Sequence, residues 1–220
     1  MKNEAVVIYS GGMDSTVLLY HLIESRMKVA ALSIDYGQRH RRELEAAKRI
    51  TTELKIEHHV ADLSSLRPLM AGSSQTSDGI AVPHGHYESE SMKVTVVPNR
   101  NMLMLAVAGA WAISRKSDVI AYAAHAGDHA IYPDCREEFV QPLAQALANA
   151  DWHRVDIIRP FISMTKAQIC ARGSVLGVPF EETYSCYEGR EKHCGLCGTC
   201  VERREAFQLA GVTDPTTYEA

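Results

Sequence analysis

The sequence predicts an α/β fold, a Rossmann-like parallel sheet flanked by helices, with a small cysteine-rich helical subdomain at the C-terminal end. Three observations predict it. The unbroken apolar run Ala5-Val6-Val7-Ile8-Tyr9 stops at a pair of glycines, as a strand buried on both faces does. Strand-like and helix-spaced segments then alternate along the chain, the pattern of parallel strands joined by right-handed crossovers. Past Gly177-Val178-Pro179 the composition shifts to Cys, Gly and charge, which sets the expected division at residues 1-178 and 179-220.

Residues 5 to 9 are the first strand. From Asp14 onward Val17, Leu18, Leu22 and Ile23 recur at near-helical spacing, and Asp14 or Ser15 is placed to accept hydrogen bonds from the first-turn amides. Val29 to Ile34 is strand-like, Glu43 to Leu54 sets Leu44, Ala47, Ile50 and Leu54 on one helical face, and Glu57 to Ala61 reads as a third strand. Ligands of such folds sit beyond the carboxyl ends of the strands. Residues 63 to 92 are punctuated by Gly72-Ser73-Ser74, Asp78-Gly79 and Pro83-His84-Gly85-His86 and read as a long loop, a candidate lid. Then follow an expected strand at Lys93 to Val97, a helix from Asn101 to Arg115, a strand at Asp118 to Ala124, and helices at Glu137 to Ala148 and Thr165 to Gly173.

Composition narrows the function classes. With 220 residues, 46% hydrophobic and 23% charged, the chain can bury a sizeable core without disulfides. The longest apolar run, Met102 to Ile113, falls short of the roughly 20 residues a membrane helix needs. Met1-Lys2-Asn3-Glu4 has no features of a signal peptide, so the cytoplasm is the expected location. A net charge of -4 argues against broad nucleic-acid binding. The one dense basic run, Arg39-His40-Arg41-Arg42, reads as a solvated helix start.

Two motifs carry chemistry. Ser10-Gly11-Gly12-Met13-Asp14-Ser15 lies between strand and helix but lacks the Lys and the longer spacing of the Walker loop. Its glycines let backbone amides approach a phosphate, Ser10, Ser15 and Thr16 add hydroxyls, and the helix presents its positive end. Those groups suit the pyrophosphate of ATP, with Asp14 either capping the helix or helping to hold Mg2+. Cys186, Cys194, Cys197 and Cys200, spaced Cys-x7-Cys-x2-Cys-x2-Cys, satisfy one tetrahedral zinc ion with no open position, as structural sites do. An iron-sulfur cluster takes the same ligands, and disulfides are the alternative for an oxidising compartment. Cys170 reads as core, and Cys135 as pocket lining or as a nucleophile.

With those motifs, Asp35-Tyr36-Gly37-Gln38-Arg39-His40, Val97-Pro98-Asn99-Arg100-Asn101, Tyr132-Pro133-Asp134-Cys135-Arg136 and Ser185-Cys186-Tyr187 make the chain resemble the QueC family. These are the 7-cyano-7-deazaguanine (preQ0) synthases of the pyrophosphate-loop ATPase superfamily. The resemblance implies an adenine nucleotide α-hydrolase-like sheet and a homodimer. It implies that 7-carboxy-7-deazaguanine is adenylated, that ammonia displaces AMP to give an amide, and that a second activation dehydrates the amide to the nitrile. Carried over by motif, Ser10, Gly11, Gly12, Met13, Asp14, Ser15 and Thr16 contact ATP or its Mg2+. Arg100, Tyr132, Asp134, Cys135 and Arg136 face the substrate, and Asp14, Ser15, Arg100 and Asp134 serve catalysis. Arg100 has an alternative as a helix-end ion pair. Asp134 has two readings, as the cap of the helix that follows it or as acceptor from a guanine-like amidine edge. The family pattern often has Ser-Gly before Tyr-Pro-Asp-Cys; here His125-Ala126-Gly127-Asp128-His129-Ala130-Ile131 stands there, which leaves open an enzyme that stops at the amide or conjugates the acid. A tRNA-thiolating enzyme with Cys135 as sulfur carrier and a non-catalytic zinc module are the remaining alternatives.

Overall fold

A computed structural model describes residues 4 to 220; Met1 to Asn3, where the absence of a signal peptide was read, lie outside the described residues. Five parallel strands form one sheet in the order β3-β2-β1-β4-β5. They are β1 (Glu4–Ile8), β2 (Lys28–Asp35), β3 (Glu57–Asp62), β4 (Val119–Ala121) and β5 (Asp156–Ile158). The helices are α1 (Met13–Glu24), α2 (Arg42–Glu53), α3 (Arg100–Arg115), α4 (Asp128–Ile131), α5 (Glu137–Ala148), α6 (Lys166–Val175) and α7 (Gly198–Ala210). None is long and apolar enough to cross a membrane among the described residues.

Alternation along β1 accounts for the two layers. Ala5, Val7 and Tyr9 point into a core with α1, Ile50 of α2, Ile169 of α6 and Phe207 of α7. Val6 and Ile8 point into the opposite core with Leu105 and Ala108 of α3 and Val140 of α5. Phe180, Ala206 and Phe207, from the C-terminal segment, belong to the first of these cores, while the four clustered cysteines pack with Ala46, Val82 and Tyr184. The sheet order reverses between β1 and β4, and the crevice at that point opens beyond Ile8 and Ala121, where such folds bind ligands.

The strand expected at Lys93 to Val97 is instead the end of a 3-10 turn, Glu90–Thr95. Met92 N donates to Ser89 O, and Thr95 Oγ1 donates to Met92 O at 2.7 Å. The valines suit a strand, but β4 already occupies the place beside β1, and packing overrides propensity. The predicted 118 to 124 strand contracts to three residues because only Val119 to Ala121 pair. The chain after them turns away to form the crevice wall. The loop between residues 63 and 92 contains a 3-10 turn, Ser64–Met70, and is tied down along its length.

Some of the ties come from Arg39, in the basic run read as solvated. Arg39 donates to the carbonyls of Ser74 and Ile80 at 3.0 and 2.7 Å, and Arg41 pairs with buried Asp35 at 2.8 Å. At the far end His84 bridges to Cys197, Gly85 N donates to Leu196 O at 3.0 Å, and Tyr87 Oη donates to Asp128 at 3.1 Å.

Candidate functional site

The glycine loop is shaped by Gly11. Its φ is +85°, and a Cβ there would lie 2.3 Å from Glu43 O and 2.6 Å from Ala47 N, so the loop seats directly on the first turn of α2. Gly11→Ala therefore combines a left-handed backbone with a clash against backbone atoms that cannot move aside. A loss of about 2–5 kcal/mol is expected, read as a lower urea midpoint at unchanged m-value.

Gly12 is the N-cap of α1 and receives no side-chain cap, so the first-turn amides remain available to a phosphate. The capping role read for Asp14 or Ser15 is thus corrected. Ser15 Oγ donates to Gly12 O and meets Ser10 Oγ at 3.1 Å. The Asp14 carboxylate is drawn to the Lys166 ammonium at the start of α6. Burial is the largest single influence and opposes the charge of Asp14, but Lys166, together with His125 and Arg203, holds the carboxyl below the usual aspartate range. Asp14 Oδ1 is buried without a hydrogen-bond partner, a lone-pair site that fits a cation such as magnesium. Lys166 also lies 3.2 Å from Glu202 of α7.

The crevice brings together Ser10, Gly12, Met13, Asp14, Ser15, Arg100, Tyr132 and Cys135. Thr16 does not line it: fully buried, it donates to Gly12 O at 2.8 Å and meets Tyr9 Oη. Asp134 and Arg136 are likewise absent from its lining. Asp134 Oδ2 accepts from Asn101 N at 3.2 Å, so Asp134 caps the start of α3, a helix 33 residues earlier, and not the helix after it. Arg136 is exposed and donates to His129 O.

Cys135 lines the crevice, but burial pushes its thiol far above the ordinary range, which removes the thiolate that a nucleophile needs. Arg100 stands 6.0 Å from the centre of the Tyr36 ring and makes no ion pair among the described residues. The helix-end salt bridge read for it is absent there.

Sequence reading missed Lys166, Glu202, Glu43 and the aromatic wall. Tyr36, Tyr87, Tyr122 and Tyr187 line the crevice with Tyr132, and Tyr187 Oη meets Tyr132 Oη at 3.1 Å. His125, from the segment that departs from the family pattern, is 2% exposed. Its Nδ1 accepts from Gly127 N at 3.1 Å, which places the ring proton on Nε2, 3.4 Å from Asp128.

The four predicted metal ligands converge, with their Sγ atoms within 4.8 Å of one another and all four residues buried. No disulfide joins them. Cys194 N donates to Cys186 Sγ at 3.3 Å, and Leu196 N and Cys197 N donate to Cys194 Sγ at 3.4 and 3.3 Å. Such donors favour thiolates, so the set suits one closed tetrahedral ion such as zinc.

Residues 4–211 match the family described as queuosine biosynthesis protein QueC. Two proteins named 7-cyano-7-deazaguanine synthase are similar over the whole chain. The one from Marinobacter nauticus is 52% identical and covered over 99% of its length, and that from Hahella chejuensis is 50% identical and covered over 95%. Among solved structures, a 4-thiouridine synthetase in complex with RNA and ATP superposes with a TM-score of 0.57 at 15% identity over 95% of the chain, which spans 50% of that structure's length. The NMN synthetase from Francisella tularensis superposes with a TM-score of 0.51 at 16% identity over 96% of the chain and 78% of its own length. At such identities these two show the fold alone.

Proposed function

Because the chain belongs to the QueC family, we propose that it is an ATP-dependent carbon-nitrogen ligase of the cytoplasm that makes 7-cyano-7-deazaguanine from 7-carboxy-7-deazaguanine and ammonia. One observation carries this reading. A single crevice joins an uncapped glycine loop with Asp14 and Lys166 to an aromatic wall with Arg100, so a nucleotide and an aromatic acid fit side by side.

In the first step a carboxylate oxygen of the acid attacks the α-phosphorus of ATP and pyrophosphate leaves. The first-turn amides of α1, with Ser10 and Ser15, orient the phosphates and receive the departing charge. Asp14 would hold Mg2+, which supplies charge neutralisation on the phosphates. With Asp14 so engaged, Lys166 turns its ammonium to the phosphate oxygens. Ammonia then adds to the acyl carbon, loses a proton and displaces AMP to leave the amide. A second adenylation on the amide oxygen releases pyrophosphate and one nitrogen proton, and departure of AMP with loss of the other nitrogen proton gives the nitrile. The Tyr36 and Tyr187 rings offer faces for the deazapurine, and Arg100 offers donors to its oxygen. The four cysteines would hold one structural zinc ion, and a homodimer is the expected assembly, to be read by light scattering.

Purified protein given the acid, magnesium-ATP and ammonium is expected to yield AMP, pyrophosphate and the nitrile mass. AMP with the amide mass alone would replace this reading with an amide-forming enzyme. The high thiol pKa of Cys135 weighs against a sulfur-carrying tRNA enzyme.

A further inference from the structure

The Asp134 side chain, the acceptor first read for the amidine edge of the substrate, caps α3 through Oδ2, keeps a buried, unpartnered Oδ1, and is absent from the crevice lining. Three carboxylates line the crevice in its place: Asp14, Asp128 and Glu43. Asp14 is engaged with Lys166. Asp128 accepts from Tyr87 Oη at 3.1 Å through one oxygen and from His125 N at 3.0 Å through the other. Glu43 alone of the three accepts no hydrogen bond among the described residues, and its first-turn position on α2 is fixed by the contact of its own carbonyl with Gly11.

Its surroundings are those of a reader of planar rings. Glu43 lines the same crevice as the Arg100 guanidinium and the Tyr36 and Tyr187 side chains. An aminopyrimidinone edge presents one carbonyl acceptor beside two parallel N–H donors, on the ring nitrogen and on the exocyclic amine. A guanidinium matches the first and a carboxylate the second pair.

We propose that Glu43 is the specificity-determining carboxylate of the site, accepting both N–H groups of the substrate's aminopyrimidinone edge while Arg100 donates to its carbonyl oxygen. This rests on the proposed deazaguanine acid as substrate. Burial pushes the Glu43 carboxyl up to about 7 in the absence of ligand, with Arg100 opposing the shift. Two arriving N–H donors stabilise the charged form. Glutamine keeps the shape but turns an N–H against one of the donors, so it leaves a buried donor unsatisfied.

The test is steady-state AMP release by wild type, Glu43→Gln and Glu43→Ala. The acceptors are 7-carboxy-7-deazaguanine and its analogue lacking the exocyclic amine. Glu43→Gln is expected to raise KM for the acid by roughly 10- to 100-fold with KM for ATP and the melting temperature unchanged. The analogue is expected to be a poor substrate of wild type whose kcat/KM the glutamine variant lowers no further. An unchanged KM for the acid, or a rise in KM for ATP instead, overturns the proposal. Wild type that releases no AMP with the acid overturns the functional reading, and the assignment of Glu43 falls with it.

Discussion

Lys166→Ala is expected to lower pyrophosphate release by about 10²- to 10³-fold, the scale on which removing one charge-stabilising donor from a transition state is felt. It is also expected to destabilise the fold. Lys166 separates Asp14 from Glu202, and their side chains are 21% and 12% exposed. Without it two carboxylates stand uncompensated, at a cost of about 3–5 kcal/mol, or roughly 6–20 °C in Tm for a chain of this size. Lys166→Arg separates the two effects, because it keeps the charge: Tm returns while pyrophosphate release stays low.

The pH window of this pairing follows from the directions of the shifts. Asp14 is depressed in the folded state, so its contribution is complete above the ordinary aspartate value of 3.8 and lost as pH falls through its folded pKa. Lys166 is raised above its ordinary 10.5, so its contribution is complete below that value and lost as pH rises through its folded pKa. Wild type should therefore keep this part of its stability between about pH 4 and pH 10, and the alanine variant should show a flatter acid limb in urea titrations.

Cys194→Ser is expected to release the metal and cost about 5 kcal/mol or more, because zinc binding by four thiolates is itself folding free energy. That corresponds to roughly 10–20 °C in Tm. Cys194 is central to the cluster, since two backbone amides donate to its sulfur. The loss should spread to the crevice. Gly85 and His84 are anchored on Leu196 and Cys197, and two residues on, Tyr87 lines the site. Zinc content near zero with a lowered Tm and a raised KM for the acid is the expected set. Full metal content at unchanged Tm would refute the structural role.

The scaffold was legible where physics is local. β1 to β3, α1, α2 and α5 declare themselves by apolar period, and the expected helix at Glu137 to Ala148 coincides with α5. β5 has three residues, of which only Ile157 and Ile158 are apolar, too short a pattern to register. The four cysteines were legible because metal ligands come at fixed spacing. Lys166 and Glu202 were not, since they stand 152 and 188 positions from Asp14 and nothing near them in the sequence marks an approach to it. Asp134 shows the same limit from the other side: its local context suggested a cap for the following helix, and tertiary structure gave it the start of α3 instead.

Tyr184 N donates to Gly11 O at 3.0 Å, and fully buried Arg203 donates to Phe180 O, Thr183 Oγ1 and Ser185 Oγ just beside that contact. The segment that comes first off the ribosome is thus completed by one of the last, since synthesis runs from the N-terminus. A nascent chain ending before residue 180 carries the glycine loop without Tyr184, without Lys166's partner Glu202 and without the cysteines. The backbone contact that holds the glycine loop against Tyr184, and the Arg203 bonds beside it, therefore form only after the C-terminal segment has emerged.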